Sequence, residues 1–211
     1  MRFKKQREAV ASTMRRLYSQ GLTTCSGGNI SFRVDDHHVL ITPAALDKGI
    51  INFRQIALMT LEGENLTPGL KPSIETGMHL KILRSRKDIC TVVHAHPLNA
   101  SLITAADTPF IRTDLLAEAR YLLMEPVFAP YALMGTEGLG DSVSNALSEG
   151  AVAALLENHG VLTIGNSLLQ AFDRLEVLEA AAEMTIKIKG AVNVTPLNDQ
   201  RLTGIDGMHA G

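Results

Sequence analysis

The chain has 211 residues, 45% of them hydrophobic, which is ample for one compact domain and thin for two. Twenty Lys and Arg against 22 Asp and Glu leave a formal net charge of −2, so no broad basic face is available and nucleic acid is excluded as the expected partner. The longest apolar run, six residues from Ala151 to Leu156, is far short of the ~20 that cross a bilayer, and two cysteines cannot build a disulfide framework.

In chain order, residues 3–20 put Val10, Met14, Leu17 and Tyr18 at spacings of three and four, the signature of an amphipathic helix. A small-residue loop, Thr23 to Asn29, leads into a strand over 30–34, a turn at 35–38 and a returning strand over 39–42. A third strand is expected over 56–61. Ser73 is placed to cap a helix from Ile74 to about Arg86, with Met78, Ile82 and Leu83 inward. The run Ile89 to Val93 reads as a buried strand that stops at Pro97. Short helices over 99–106 and around 114–123, a strand near 127–128 and a helix over 141–147 follow. Strands over 151–156 and 160–164 are joined through Glu157, Asn158 and His159, and a helix capped at Asn166 or Ser167 runs to about Lys189. Residues 191–211 are polar, rich in turn formers and expected as a mobile tail behind a single domain over 1–190. The basic N-terminus lacks the apolar stretch of a signal peptide, so a cytoplasmic location is expected.

His94 and His96 carry the sharpest chemical signal. Residues i and i+2 of a strand project to one face, where two imidazoles can share an ion. An isolated pair of this kind reads equally well as ordinary strand-end histidines. His159 tips the balance: it too ends an apolar strand, between Asn158 and Gly160, and three imidazoles with one open position make the usual catalytic zinc site. His37, His38, His79 and His209 read as structural or solvated. Glu75, near the start of the predicted helix, is the candidate acid or base. The turn Ser26-Gly-Gly-Asn29 exposes backbone amides and short polar side chains that suit an anion, without dinucleotide or P-loop spacing.

Together, residues 21–31, Leu40-Ile-Thr-Pro43, Lys71-Pro-Ser-Ile-Glu75, Val93-His-Ala-His96, Ala129-Pro-Tyr-Ala132 with Gly135-Thr136, and Asn158-His-Gly160 resemble the class II aldolase family of the fuculose-phosphate aldolase type, which includes the adducin head. The resemblance spans about residues 5–190. It implies an α/β fold of three layers, αβα, with a mostly antiparallel central sheet. It implies a divalent metal on His94, His96 and His159 (zinc, with manganese or cobalt as alternatives) and Glu75 as catalytic acid/base. It also implies a homotetramer with sites at subunit interfaces, to which an apolar 115–134 segment would contribute.

The implied reaction is reversible retro-aldol cleavage of a small ketose 1-phosphate. The metal would stabilise the resulting enediolate, Glu75 would handle the proton, and Ser26, Gly28, Asn29 and Ser73 would hold the phosphate. The chain departs from the aldolase pattern at Ala44, Ala45 and Ile74, where side-chain or glycine-amide donors are usual, and at Thr113, near the place from which a neighbouring subunit supplies a catalytic tyrosine in some aldolases, with Tyr121 as the candidate substitute. The thinned anion site and nearby Lys48 leave room for a carboxylate substrate. The alternative is therefore decarboxylation, dehydration or epimerisation of a related sugar acid or sugar phosphate. Adducin heads lack the three histidines, so an enzyme is expected.

Overall fold

A computed structural model describes residues 1–148, 150–190 and 194–209. Among the described residues, seven α-helices and seven strands alternate irregularly along the chain. Helix α1 (Lys4–Ser19) buries the stripe Val10, Ala11, Met14 and Leu17, as its 3.6-residue period requires. Strands β1 (Asn29–Arg33), β2 (His38–Ile41) and β3 (Ala57–Thr60) form an antiparallel meander. After α2 (Thr76–Ser85), strand β4 (Thr91–Ala95) pairs back onto β1. Helices α3 (Leu98–Thr104) and α4 (Ala117–Leu123) lead to β5 (Val127–Ala129), and α5 (Glu137–Ala146) leads to the hairpin of β6 (Ala153–Leu156) and β7 (Gly160–Gly165). The long α6 (Leu168–Lys187) is capped by Ser167, whose hydroxyl accepts the Gln170 amide.

The sheet order is β3-β2-β1-β4-β7-β6-β5, antiparallel throughout except for the parallel β5–β6 pair. Alternation along the strands splits the core in two. Val93, Ala95, Leu155 and Val161 pack with α1, α3, α4 and α6, while Val92, Ala154, Leu156, Leu162 and Ile164 pack with α2 and α5. The expected three-layer αβα fold with a mostly antiparallel sheet is therefore present. Because His94 follows Val93, it falls on the α2–α5 face, the one that also receives Ser31 and Asn29 from β1.

One local expectation differs. Ser73 does not open α2: its hydroxyl accepts the Asn29 side-chain amide (3.0 Å) and the Glu75 backbone amide (3.3 Å). The helix begins at Thr76, with Glu75 at the cap position. The segment expected as a mobile tail contains a helix, α7 (Asp199–Asp206), capped by Asn198. Arg120 on α4 grips Asp206 through two bonds of 2.6 Å, and the Leu197 amide donates to Asp114 O, so local capping and an ion pair dock this polar segment. Residues 191–193 and 210–211 of that expectation lie outside the described residues.

Candidate metal centre and active site

The site is assembled by strand register. Antiparallel pairing sets His94 opposite Asn29 of β1 on one side and Leu162 of β7 on the other. His96 lies two residues on, just past the end of β4. His159 closes the turn between β6 and β7, where Asn158 adopts the left-handed conformation (φ 52°) that asparagine tolerates better than most residues. The three rings stand with centroids 4.7 Å (His94–His96), 4.8 Å (His94–His159) and 5.5 Å (His96–His159) apart. One ring nitrogen from each lies within 4.8 Å of the others, a grouping able to hold a metal ion.

Close approach demands small neighbours. A side chain at Gly160 would collide with the His96 ring and come 2.7 Å from the Ala95 carbonyl oxygen. Gly28 has φ 63°, and a Cβ there would stand 2.9 Å from the His94 carbonyl oxygen. Both glycines let the backbone close around the histidines without displacing them.

Protonation states follow from the surroundings. The His94 Nδ1–H donates to Val161 O at 2.9 Å, which fixes the tautomer and leaves the Nε2 lone pair toward the cluster. Nε2 of His94 and of His96 are 3.1 Å apart. Burial lowers the pKa of His94, and it lowers that of His96 to about 4 with help from the neighbouring imidazoles, against the opposing charge of Glu75. These rings are thus held neutral at physiological pH, the form that donates a lone pair to a metal.

Glu75 stands among them, 6% exposed. Its Oε1 is 3.1 Å from His159 Nε2 and its Oε2 is 3.4 Å from His94 Nε2. Burial alone would raise its pKa, but the contacts with His159, His94 and the Asn29 amide outweigh burial and hold the carboxyl well below the usual range. Oε1 receives no well-aligned hydrogen bond. A buried carboxylate oxygen without a well-aligned donor, beside three imidazole rings, fits a divalent cation: the donor set is one that borderline-soft ions such as zinc accept.

Asn29, expected among the anion-binding groups, has another occupation. Its side-chain N–H groups donate to Glu75 Oε2 (2.7 Å) and Ser73 Oγ (3.0 Å), while its Oδ1 accepts from His79 Nε2. His79, fully buried on α2, takes the Ser31 hydroxyl at Nδ1 (2.8 Å). That chain decides the orientation of the amide. With Nε2–H donating, Asn29 must face His79 with oxygen and Glu75 with nitrogen. Sequence reasoning, which reads His79 as structural or solvated, misses this role. The available signal is its position four residues after Glu75, a spacing that places both on one helical face.

Ser26, Gly28, Asn29, Ser73, Glu75, His96 and His159 all line one cavity of about 590 Å³. His94 lies fully buried behind them. Ala44, Ala45, Lys48 and Ile74 line it too, so the positions that lack the usual donors do face the site. Thr113 does not: it is buried, and its hydroxyl donates to Met124 O. Tyr121 lines a different cavity, with Ala117, Asp173 and Met208.

The sequence matches the family model described as "Class II Aldolase and Adducin N-terminal domain" over residues 8–186. It is 30% identical to a 3-oxo-tetronate 4-phosphate decarboxylase of Haemophilus influenzae, over 88% of this chain and 89% of that protein. It is 31% identical to an L-fuculose phosphate aldolase of Methanococcus maripaludis, over 80% of this chain and 89% of that one. A solved L-fuculose 1-phosphate aldolase superposes with a TM-score of 0.89 at 27% identity, covering 100% of this chain and 99% of the other.

Proposed function

Because the chain belongs to the class II aldolase and adducin N-terminal domain family and is a lyase of that family, we propose that it cleaves a carbon–carbon bond in a small ketose 1-phosphate by reversible retro-aldol reaction. The observation that supports this reading most directly is the buried Glu75 carboxylate, 3.1 and 3.4 Å from His159 and His94. Among the described residues it is the only carboxylate lining the cavity. His94, His96 and His159 would hold the divalent ion, zinc in this proposal. When bound, the ion supplies Lewis-acid stabilisation of the negative charge that develops on substrate oxygen.

The chain's own groups do the rest. Glu75 is kept ionised, so it can take the hydroxyl proton of the carbon that becomes the aldehyde. As the bond breaks, that carbon leaves as a carbonyl and the electron pair stays on the fragment bearing the phosphate. The proton held on Glu75 is then delivered to that fragment. Asn29 keeps the carboxylate aimed, and His79 keeps Asn29 from flipping. The wall of Ser26, Gly28 and Ser73 receives the anionic end of the substrate.

Decarboxylation of a 3-oxo sugar-acid phosphate is the second reading, favoured by one observation. No tyrosine of this chain is among the described residues lining the cavity, so proton transfer within one chain rests on Glu75. Loss of CO2 needs no hydroxyl proton removed beforehand, only one delivered afterwards. A coupled assay separates the two. Aldehyde release from ketose 1-phosphates, in the presence of zinc, manganese or cobalt, supports retro-aldol cleavage. CO2 release from a 3-oxo-4-phospho sugar acid without aldehyde formation replaces it with the second.

A further inference from the structure

Lys48 is 1% exposed, an unusual place for an ammonium. It lies in the turn after β2 and is tied to the glycine loop, since its backbone N–H donates to Cys25 O at 2.9 Å. Its Nζ donates to Pro43 O at 2.6 Å. Among the described residues no carboxylate forms an ion pair with it. Asp47, next in sequence, points its Oδ1 at the Gly49 amide instead. Lys48 lines the same cavity as Ser26, Gly27, Gly28 and Ser73.

A buried charge without a counter-ion costs several kcal/mol unless it is satisfied by another group. One carbonyl uses one of three N–H donors. Burial lowers the pKa to about 8, which still leaves the ammonium charged at neutral pH. The fold therefore holds a positive charge against the one wall of the cavity that also offers a glycine turn and serine hydroxyls. The same wall has apolar side chains at Ala44, Ala45 and Ile74, so hydroxyl donors are few and the charge must carry more of the binding.

We propose that Lys48 is the charged anchor for the substrate's phosphoryl group. An ammonium is a compact point charge whose three donors suit a tetrahedral dianion, whereas a planar carboxylate is better matched by the fork of an arginine. A phosphoryl oxygen at Nζ, with Ser26 and the Gly27–Gly28 backbone close by, would satisfy the buried charge and fix which end of the substrate lies away from Glu75. This inference rests on the phosphorylated-substrate reading above, but its test does not depend on turnover.

The test is calorimetric titration of the metal-loaded protein with inorganic phosphate and, separately, with malonate. Lys48→Met should weaken phosphate binding by about tenfold or more, with metal content and melting temperature close to wild type and malonate little affected. Phosphate affinity within twofold of wild type in a folded Lys48→Met overturns the proposal, as does a larger loss for malonate than for phosphate. Should that variant not fold, the wild-type protein serves: phosphate should slow reductive methylation of Lys48, read by peptide mass spectrometry, at least fivefold. An unchanged rate overturns the assignment. Absence of lyase activity alongside Lys48-dependent phosphate binding would reject the reaction and leave the anchor in place.

Discussion

The carboxylate at 75 and its supports make predictions that separate chemistry from folding. Glu75→Gln keeps the shape and most hydrogen bonds but cannot exchange a proton. Its kcat should fall by about 10²–10⁴, with metal content by emission spectroscopy unchanged; turnover near wild type would remove Glu75 from the acid/base role. His79 acts at one remove. His79→Phe, which cannot hold the Asn29 oxygen, should lower kcat with little change in KM, and His79→Gln should restore much of the loss. His79 also leaves a mark on stability. Burial, reinforced by the neighbouring His94 and opposed by the charge of Glu75, lowers its pKa to about 3 in the folded chain, whereas the unfolded value is ~6.5. The unfolded state therefore binds the extra proton between these limits. The contribution of this group is complete above pH 6.5 and is lost as the pH falls toward 3. Urea unfolding at pH 7 and pH 4.5 should show wild type losing about 2 kcal/mol more than His79→Gln. At Ile74, half exposed on the cavity wall, a serine restores a donor, and KM for a phosphorylated ketose should drop by up to about tenfold. An unchanged or higher KM would mean the isoleucine packs on an apolar part of a different substrate.

The β6–β7 hairpin is the element on which the histidine cluster turns. Gly160→Ala would push its methyl into the His96 ring, so the variant should fold yet bind metal more weakly by about tenfold or more. His159→Ala should lose bound metal outright, measured as metal per chain after desalting. Much at this scale is legible in the sequence. Strand alternation around Val92-Val93 yields β4 and places His94 and His96 on one face, and the apolar run into His159 yields β6 and its turn. The features that escape belong to contacts no local pattern encodes. Ser73 reads as a helix cap because its position allows it, but Asn29 of β1 and the Glu75 amide share its hydroxyl, so α2 starts at Thr76. The pairing of β5 parallel to β6 depends on α5 crossing back, which no three-residue strand announces. Lys48 is visible as a nearby cation, but its burial follows from the closure of the 43–48 turn over the glycine loop. Ala45 marks that closure: it holds φ 55° without being glycine, so Ala45→Gly should raise stability by about 1 kcal/mol in thermal unfolding.

For the molecule as a whole, the family likeness leads to a homotetramer as the expected assembly. Tyr131, Leu133 and Met134, 62%, 60% and 55% exposed, are apolar surface that such an assembly would cover, and Met134 lines the cavity. Light scattering at micromolar concentration should give four chains; a monomer would count against a shared site. The central sheet has a different consequence. His94 and His96 reach His159 only when β4 lies in register with β7, Ala95 opposite Val161, and before that pairing the chain offers an ion two histidines at most in one place. Whatever free energy the ion contributes on binding is then counted in the folding equilibrium. At free metal one hundred times Kd this amounts to about 2.7 kcal/mol. A chelator should lower the melting temperature of wild type and leave that of His159→Ala unmoved. Scarcity of the ion would thus act twice, once by idling intact molecules and once by enlarging the unfolded fraction that proteases remove, so the lifetime of the polypeptide would track metal supply even where no substrate is present.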